Sequence, residues 1–209
     1  MPASAPLVLS CRAVCAMAAL LVTSVAAVAL DTLAPGEGPL VEPLSFLAHT
    51  DYAWLWHLTV GAGAAGLLLL AWTLRRRAAS PVFTIALTVA GLGLMPVVVF
   101  PADLWLPWER PPTLSGGLHV GAVGLFILAL SVAVTIRPRS LPMRGAWQWC
   151  RVAEVAYWGA VLGGAAYLGA VILAGRPPHL IGLWQRLVLG SAWAWSILLA
   201  AGGLRLKDR

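Results

Sequence analysis

His49, His57, His119 and His179 are the four imidazoles of the chain, and the spacing of the apolar runs puts all of them towards one face of a membrane. Ser45, Asp51, Asp103, Arg176, Gln185 and Arg186 fall on the same side, so several helix ends bring hydroxyl, carboxylate, imidazole and guanidinium groups towards one polar pocket. Polar groups at membrane depth are costly unless they pair or face a cavity. Arg186 is the most exacting of them, because it lies one turn into an apolar run and needs an anion or a carbonyl as partner. Asp103 is the expected anion. The candidate ligand-binding cluster is therefore Ser45, His57, Asp103, His119 and Arg186.

A metal site would draw on His57, Asp103 and His119, since imidazole and carboxylate are suitable ligands. Those three residues come from different segments, and no HxxxH or HExxH spacing accompanies them. A haem would use His57 and His119 as axial ligands, an arrangement similar to one half of six-helix cytochromes of the b561 type. The third and fifth apolar runs lack a histidine, so that resemblance excludes a second haem. The plainer reading of the same residues is structural: Arg186 snorkels to the headgroups, Asp103 caps the loop after Pro101, and His119 bonds a neighbouring helix. A proton relay would need an acid at mid-depth; Glu154 comes closest, at the inner end of the fifth run beside Arg151. The cofactor, if there is one, is left open by these patterns.

The elements that must position these groups are set by the solvent. A chain of 209 residues that is 60% hydrophobic and 11% charged, with mean hydropathy +0.86, cannot bury that apolar surface within one water-soluble domain. Apolar runs bounded by charge, Pro and Gly predict spans over 8–30, 53–74, 81–100, 118–136, 152–174 and 183–204. Helices are the default within hydrocarbon, because each must close its own backbone hydrogen bonds, and no strand alternation is present. The expected fold is all-α: a polytopic, six-transmembrane-helix bundle forming a single domain over residues 1–209. Ala27-Val28-Ala29 also reads as a small-x-small cleavage pattern, the alternative in which the first run is a signal peptide.

The net charge of +6 and pI near 10.0 would point to nucleic acid in a soluble protein, but the basic residues here sit in short connections between apolar runs. They are topology signals, which argues against nucleic-acid binding. Arg12, the Arg75–Arg77 run, Arg137, Arg139, Arg144, Arg151, Arg205, Lys207 and Arg209 fall on one side of a six-span arrangement, and Arg110, Arg176 and Arg186 on the other. Positive charge resists translocation, so both termini are expected in the cytoplasm and the protein in the inner (cytoplasmic) membrane. Asp31, Glu37, Glu42, Asp51, Asp103 and Glu109 lie on the Arg-poor side.

Trp54, Trp56, Trp105, Trp108 and Trp184 mark the outer interface, and Trp72, Trp147 and Trp149 the inner one; Trp158, Trp193 and Trp195 lie deeper, as packing residues. Gly159 and Gly163 form a GxxxG pair that serves packing within the bundle or, on a sharper reading, homodimerisation. Cys11, Cys15 and Cys150 lie towards the inner face and read as packing residues without a disulfide.

Pro43-Leu44-Ser45, Phe100-Pro101-Ala102-Asp103, His119 and Gly182-Leu183-Trp184-Gln185-Arg186-Leu187 resemble, in order and spacing, a bacterial six-helix membrane family known as domain of unknown function 998. The resemblance covers roughly Val41 to Leu204 and implies the six-helix fold. It also implies a shared outer-face polar site at Ser45, Asp103, His119 and Arg186, with an acidic residue more usual where Gln185 stands. The reading that follows is a bilayer protein that binds a small or lipid-like ligand in an outer pocket. A metal-dependent hydrolase acting on a lipid, and a non-catalytic accessory subunit of another membrane protein, are the alternatives.

Overall fold

The computed structural model describes residues 11–33, 38–75, 80–106, 109–137 and 147–204. They form helices α1 (Cys11–Leu33), α2 (Ala53–Leu74), α3 (Pro81–Val99), α4 (Leu114–Ile136), α5 (Trp147–Leu173) and α6 (Ile181–Leu204), plus a short 3-10 helix over Leu44–His49. No strand occurs among the described residues. The predicted span over 53–74 coincides with α2; the part of the first predicted span before Cys11 lies outside the described residues.

Three boundaries shift for local reasons. Helix α1 continues past Leu30, so Asp31 belongs to its last turn and not to a loop. Helix α4 starts at Leu114, four residues before the predicted span, because Thr113 caps it: the Thr113 Oγ1 accepts from Gly116 N at 3.0 Å. Helix α5 starts at Trp147, since Gln148 and Arg151 end an apolar run without ending a helix.

Helices α1 to α4 and Gln148–Leu173 of α5 are each long and apolar enough to cross a membrane, five in all among the described residues. Helix α6 has 24 residues and carries Gln185 and Arg186 in its second turn. Large apolar side chains stand exposed on several of them, including Val25 at 68%, Leu128 at 68% and Val155 at 73%. Such a surface is stable only against lipid, and the chain is a multi-pass membrane protein.

Helix α1 packs between α2 and α6, α2 packs on α3, α3 on α4, and α5 on α6. The order around the bundle is thus α5, α6, α1, α2, α3, α4, and among the described residues the last and first of these are not closely packed. One end carries Asp31, Glu42, Asp51, Asp103 and Glu109 and is called here the acidic end; the opposite, basic end carries Arg12, Arg75, Arg137 and Arg151. At the basic end Phe83 meets Trp195 edge-on, with centroids 6.5 Å apart, and Arg12 lies 4.2 Å above the Trp72 ring.

Side chains bridge the α4–α5 gap towards the basic end. The Tyr157 hydroxyl donates to Ile127 O at 3.1 Å and lies 3.0 Å from Ser131 Oγ. Below them Arg137 Nε meets Glu154 Oε1 at 2.5 Å, with side-chain exposures of 5% and 11%, and Arg151 stands 3.7 Å from the same carboxylate. Glu154, beside Arg151 at the inner end of the fifth run, is therefore a buried partner of Arg137. Its burial is possible because α4 ends where it delivers a guanidinium.

Removing one member of a buried pair leaves the other charge uncompensated. Glu154→Ala is expected to lower unfolding stability in detergent by about 3–5 kcal/mol, while the double replacement Arg137→Met with Glu154→Leu recovers most of that loss. Equal damage from the single and double variants, in unfolding titrations, would contradict this account.

Candidate functional site

Arg186 is the centre of the acidic end. Its Nε donates to Asp31 Oδ2 at 2.9 Å and its Nη2 to Asp31 Oδ1 at 2.5 Å, a two-pronged pair that joins the last turn of α1 to the second turn of α6. Its Nη1 donates to Glu42 O at 2.8 Å and to Gly182 O at 3.1 Å. The planar fork can serve a carboxylate and two carbonyls together, which an ammonium could not do in this geometry. The partner is thus Asp31 and not Asp103, because the extra turn of α1 brings the Asp31 carboxylate to α6.

The segment before the 3-10 helix is pinned to α6 by the same turn. Gln185 Oε1 accepts from Leu44 N at 2.6 Å, and Leu183 N donates to Leu40 O at 3.0 Å. Gly182 lies so close to the carbonyls of Pro39 and Glu42 that a Cβ there would overlap them. A neutral amide suffices at position 185, since what it meets is a backbone N–H.

A second corner joins α3 to α4. Asp103 accepts from Thr113 N at 2.8 Å and from Thr113 Oγ1 at 2.6 Å, so its carboxylate braces the residue that caps α4. Gly116 makes room for that carboxylate, which a Cβ would strike. His119 Nδ1 donates to Phe100 O at 2.8 Å, and His49 Nε2 donates to Ala102 O at 2.6 Å; a carbonyl only accepts, so each of those nitrogens carries the proton. For His119 this leaves Nε2 as the acceptor of the neutral ring, without a hydrogen-bond partner among the described residues. The ring is 3% exposed and stacks on Trp56, with centroids 6.4 Å apart and an interplanar angle of 22°.

Between these corners lies a cavity of about 760 Å³. Ser45, Asp103, His119 and Arg186 all line it, together with Asp31 and Gln185. Its polar wall is at the acidic end; deeper, it is walled by side chains such as Val123, Ile127, Ala160 and Ile197. Trp56 and Trp184 also line it, and the Nε1 of each is buried without a hydrogen-bond partner among the described residues. Trp184 reaches this position because Gly163 of α5 has no side chain: a Cβ there would come within 2.7 Å of the indole. Gly163 is thus used within the bundle, whereas nothing stands within 4 Å of a Cβ on Gly159.

His57 does not join the others. It is exposed one turn into α2 and does not line the cavity, because Trp56, its neighbour in sequence, takes the inward direction. The three-ligand set His57, Asp103 and His119 consequently does not converge, and among the described residues no three His, Cys, Asp or Glu side chains lie so as to hold a metal. His119 lines the cavity and His57 does not, so the two imidazoles do not face that space together. His179 and Arg176 are exposed on the α5–α6 connection.

Sequence reasoning missed Asp31, Trp56 and Trp184 as site residues. Asp31 was recognisable as an acid near a span end, but its depth depends on one extra helical turn. Trp56 and Trp184 carry the signal of interface residues and point inward for reasons of packing, while Trp54, Trp72 and Trp149 are exposed as expected of a belt.

The pairing of Arg186 with Asp31 makes a quantitative prediction. A cycle of Asp31→Ala, Arg186→Ala and the double variant should give a coupling of about 1.5–3 kcal/mol in unfolding free energy, as for hydrogen bonds to charged groups. Arg186→Lys should not restore it, because an ammonium lacks the fork. A coupling under about 0.5 kcal/mol, the scatter of independent sites, would show that the two residues do not act together.

No curated protein and no solved structure matches this chain. A family model described as "Protein of unknown function (DUF998)" matches residues 17–202, which takes in all of the helices but the first turns of α1 and the last residues of α6. With that match covering most of its length, the chain belongs to the DUF998 family.

Proposed function

We propose that the protein binds a small, lipid-like amphiphile in the cavity at its acidic end. The observation that carries this reading is the cavity itself: about 760 Å³, within the roughly 300–1,000 Å³ usual for small-molecule sites, with apolar walls and polar groups gathered at one end. An amphiphile has that same division. Access from the bilayer is supported by the α4–α5 side, where both helices line the cavity and are not closely packed among the described residues.

The reading places the protein in the inner membrane as a six-span bundle, with the acidic end outermost and both termini cytoplasmic. A sixth span is supported by the reach of α6, which meets Asp31 at the acidic end through Arg186 and, through Trp195 Nε1, Glu154 at the basic end at 3.5 Å. The orientation rests on the excess of Arg and Lys at the basic end. A green fluorescent reporter fused after Arg209 should fluoresce and an alkaline phosphatase fused there should be inactive; the reverse pattern would overturn the orientation.

Binding is tested by native mass spectrometry of the protein released gently from its membrane. A lipid-sized adduct should be retained, and Ala160→Phe, which puts a ring into the cavity wall, should reduce its occupancy about tenfold. Equal adducts on both proteins would place the lipid elsewhere and sink the proposal.

A further inference from the structure

The charged groups around the cavity are largely engaged within the protein, and several of its uncharged groups are not. Asp31, Asp103 and Arg186 are the only formally charged side chains that line it among the described residues, and they sum to −1. Arg186 is committed to Asp31 and to two carbonyls, and Asp103 to the cap of α4. Four of the five Arg186 N–H groups are taken in this way and one on Nη2 is left, while a phosphate or carboxylate would add negative charge to a wall that is already net negative in a low-dielectric setting.

What remains for a ligand is a neutral set. The Nε1 groups of Trp56 and Trp184 are buried donors without acceptors, Trp56 being only 3% exposed. His119 Nε2 is an acceptor without a donor, and Ser45 Oγ, on a residue 6% exposed, has no hydrogen-bond partner among the described residues. A buried donor left unmet costs as much as a lost hydrogen bond, so the occupant is expected to meet these groups. It needs an acceptor for the indoles and a hydroxyl for the imidazole. Below them the apolar wall runs along α4 from His119 to Ile127, roughly 12 Å at 1.5 Å per residue, which suits one extended chain.

Building on the proposed amphiphile site, we propose that its ligand class is a single-chain lipid with an uncharged, hydroxyl-bearing head, such as a monoacylglycerol, and that anionic lipids are rejected. The ester carbonyl accepts from Trp56 or Trp184 Nε1, and a head hydroxyl donates to His119 Nε2.

The test compares 1-monooleoylglycerol with 1-oleoyl lysophosphatidate, which share chain and glycerol and differ in the phosphate, on the full chain in nanodiscs by native mass spectrometry. The expected result is at least about tenfold tighter binding of the monoacylglycerol, lost in Ala160→Phe. Trp184→Phe, which keeps a ring and removes the N–H, should weaken it about three- to tenfold, the worth of one neutral hydrogen bond. The ether analogue 1-O-oleylglycerol, which lacks the carbonyl, should bind less tightly than the ester to the wild type and equally to Trp56→Phe with Trp184→Phe. Lysophosphatidate binding as tightly as the monoacylglycerol, or tighter, and in a manner sensitive to Ala160→Phe, would overturn the neutral-head inference and leave the amphiphile site standing. Binding of neither lipid in that manner would overturn both.

Discussion

A guanidinium one turn inside an apolar helix must be met, and the acidic end is built around meeting the one on Arg186. Its fork takes the Asp31 carboxylate on one edge and the Glu42 and Gly182 carbonyls on the other, so a single side chain ties α1, the segment before the 3-10 helix and α6 together. The supporting features follow from that geometry. Gly182 has no Cβ because the chain from Pro39 to Glu42 must come close enough for its carbonyl to be reached, and Gln185 holds Leu44 N so that the segment stays there. In hydrocarbon such a pair is not optional decoration, since the alternative is an unpaired charge whose cost is several kcal/mol.

The two ends of the bundle solve the same electrostatic problem in different ways. At the basic end Arg137 and Glu154 meet across α4 and α5, two helices that are not closely packed among the described residues, and with Tyr157 they bridge the gap. At the acidic end the pairs run instead between α1 and α6 and within the α3–α4 corner. No described ion pair crosses from α4 to α5 there, where both helices line the cavity together with α1, α2, α3 and α6.

Much of this was legible in the residues. Long apolar runs separated by Arg, Pro and Gly place the helices, and α2 matches its run from Ala53 after the Tyr52 cap to Leu74 before Arg75. The convergence of Ser45, Asp103, His119 and Arg186 on one space follows from their all lying near helix ends on one side. What was not legible is direction around each helix axis. His57 and Trp56 are adjacent, both fit an interfacial turn, and only the packing of α2 against its neighbours decides that the indole faces inward and the imidazole outward. The choice of Asp31 over Asp103 was equally hidden, because one turn more of α1 decides it and hydropathy does not register a single acid at a helix end. The Arg137–Glu154 pair escaped for a related reason: sequence shows Arg151 three residues from Glu154, and the stronger partner comes from another helix.

The size of the cavity bears on whether it can be an incidental packing defect. At about 760 Å³ the space is far larger than a single water needs and falls within the range of small-molecule sites, so it is more than a gap between imperfectly packed side chains. Water fills its polar end poorly as the sole occupant, because the deeper walls offer Val123, Ile127, Ala160 and Ile197 and no polar partner to hold it. The proposed occupant matches this lining, with an apolar chain for those walls and a head that both donates and accepts for Ser45, Trp56, His119 and Trp184 above them. A neutral head is the better match to that end because Asp31 already balances the charge of Arg186 and the lining as a whole carries one negative charge more.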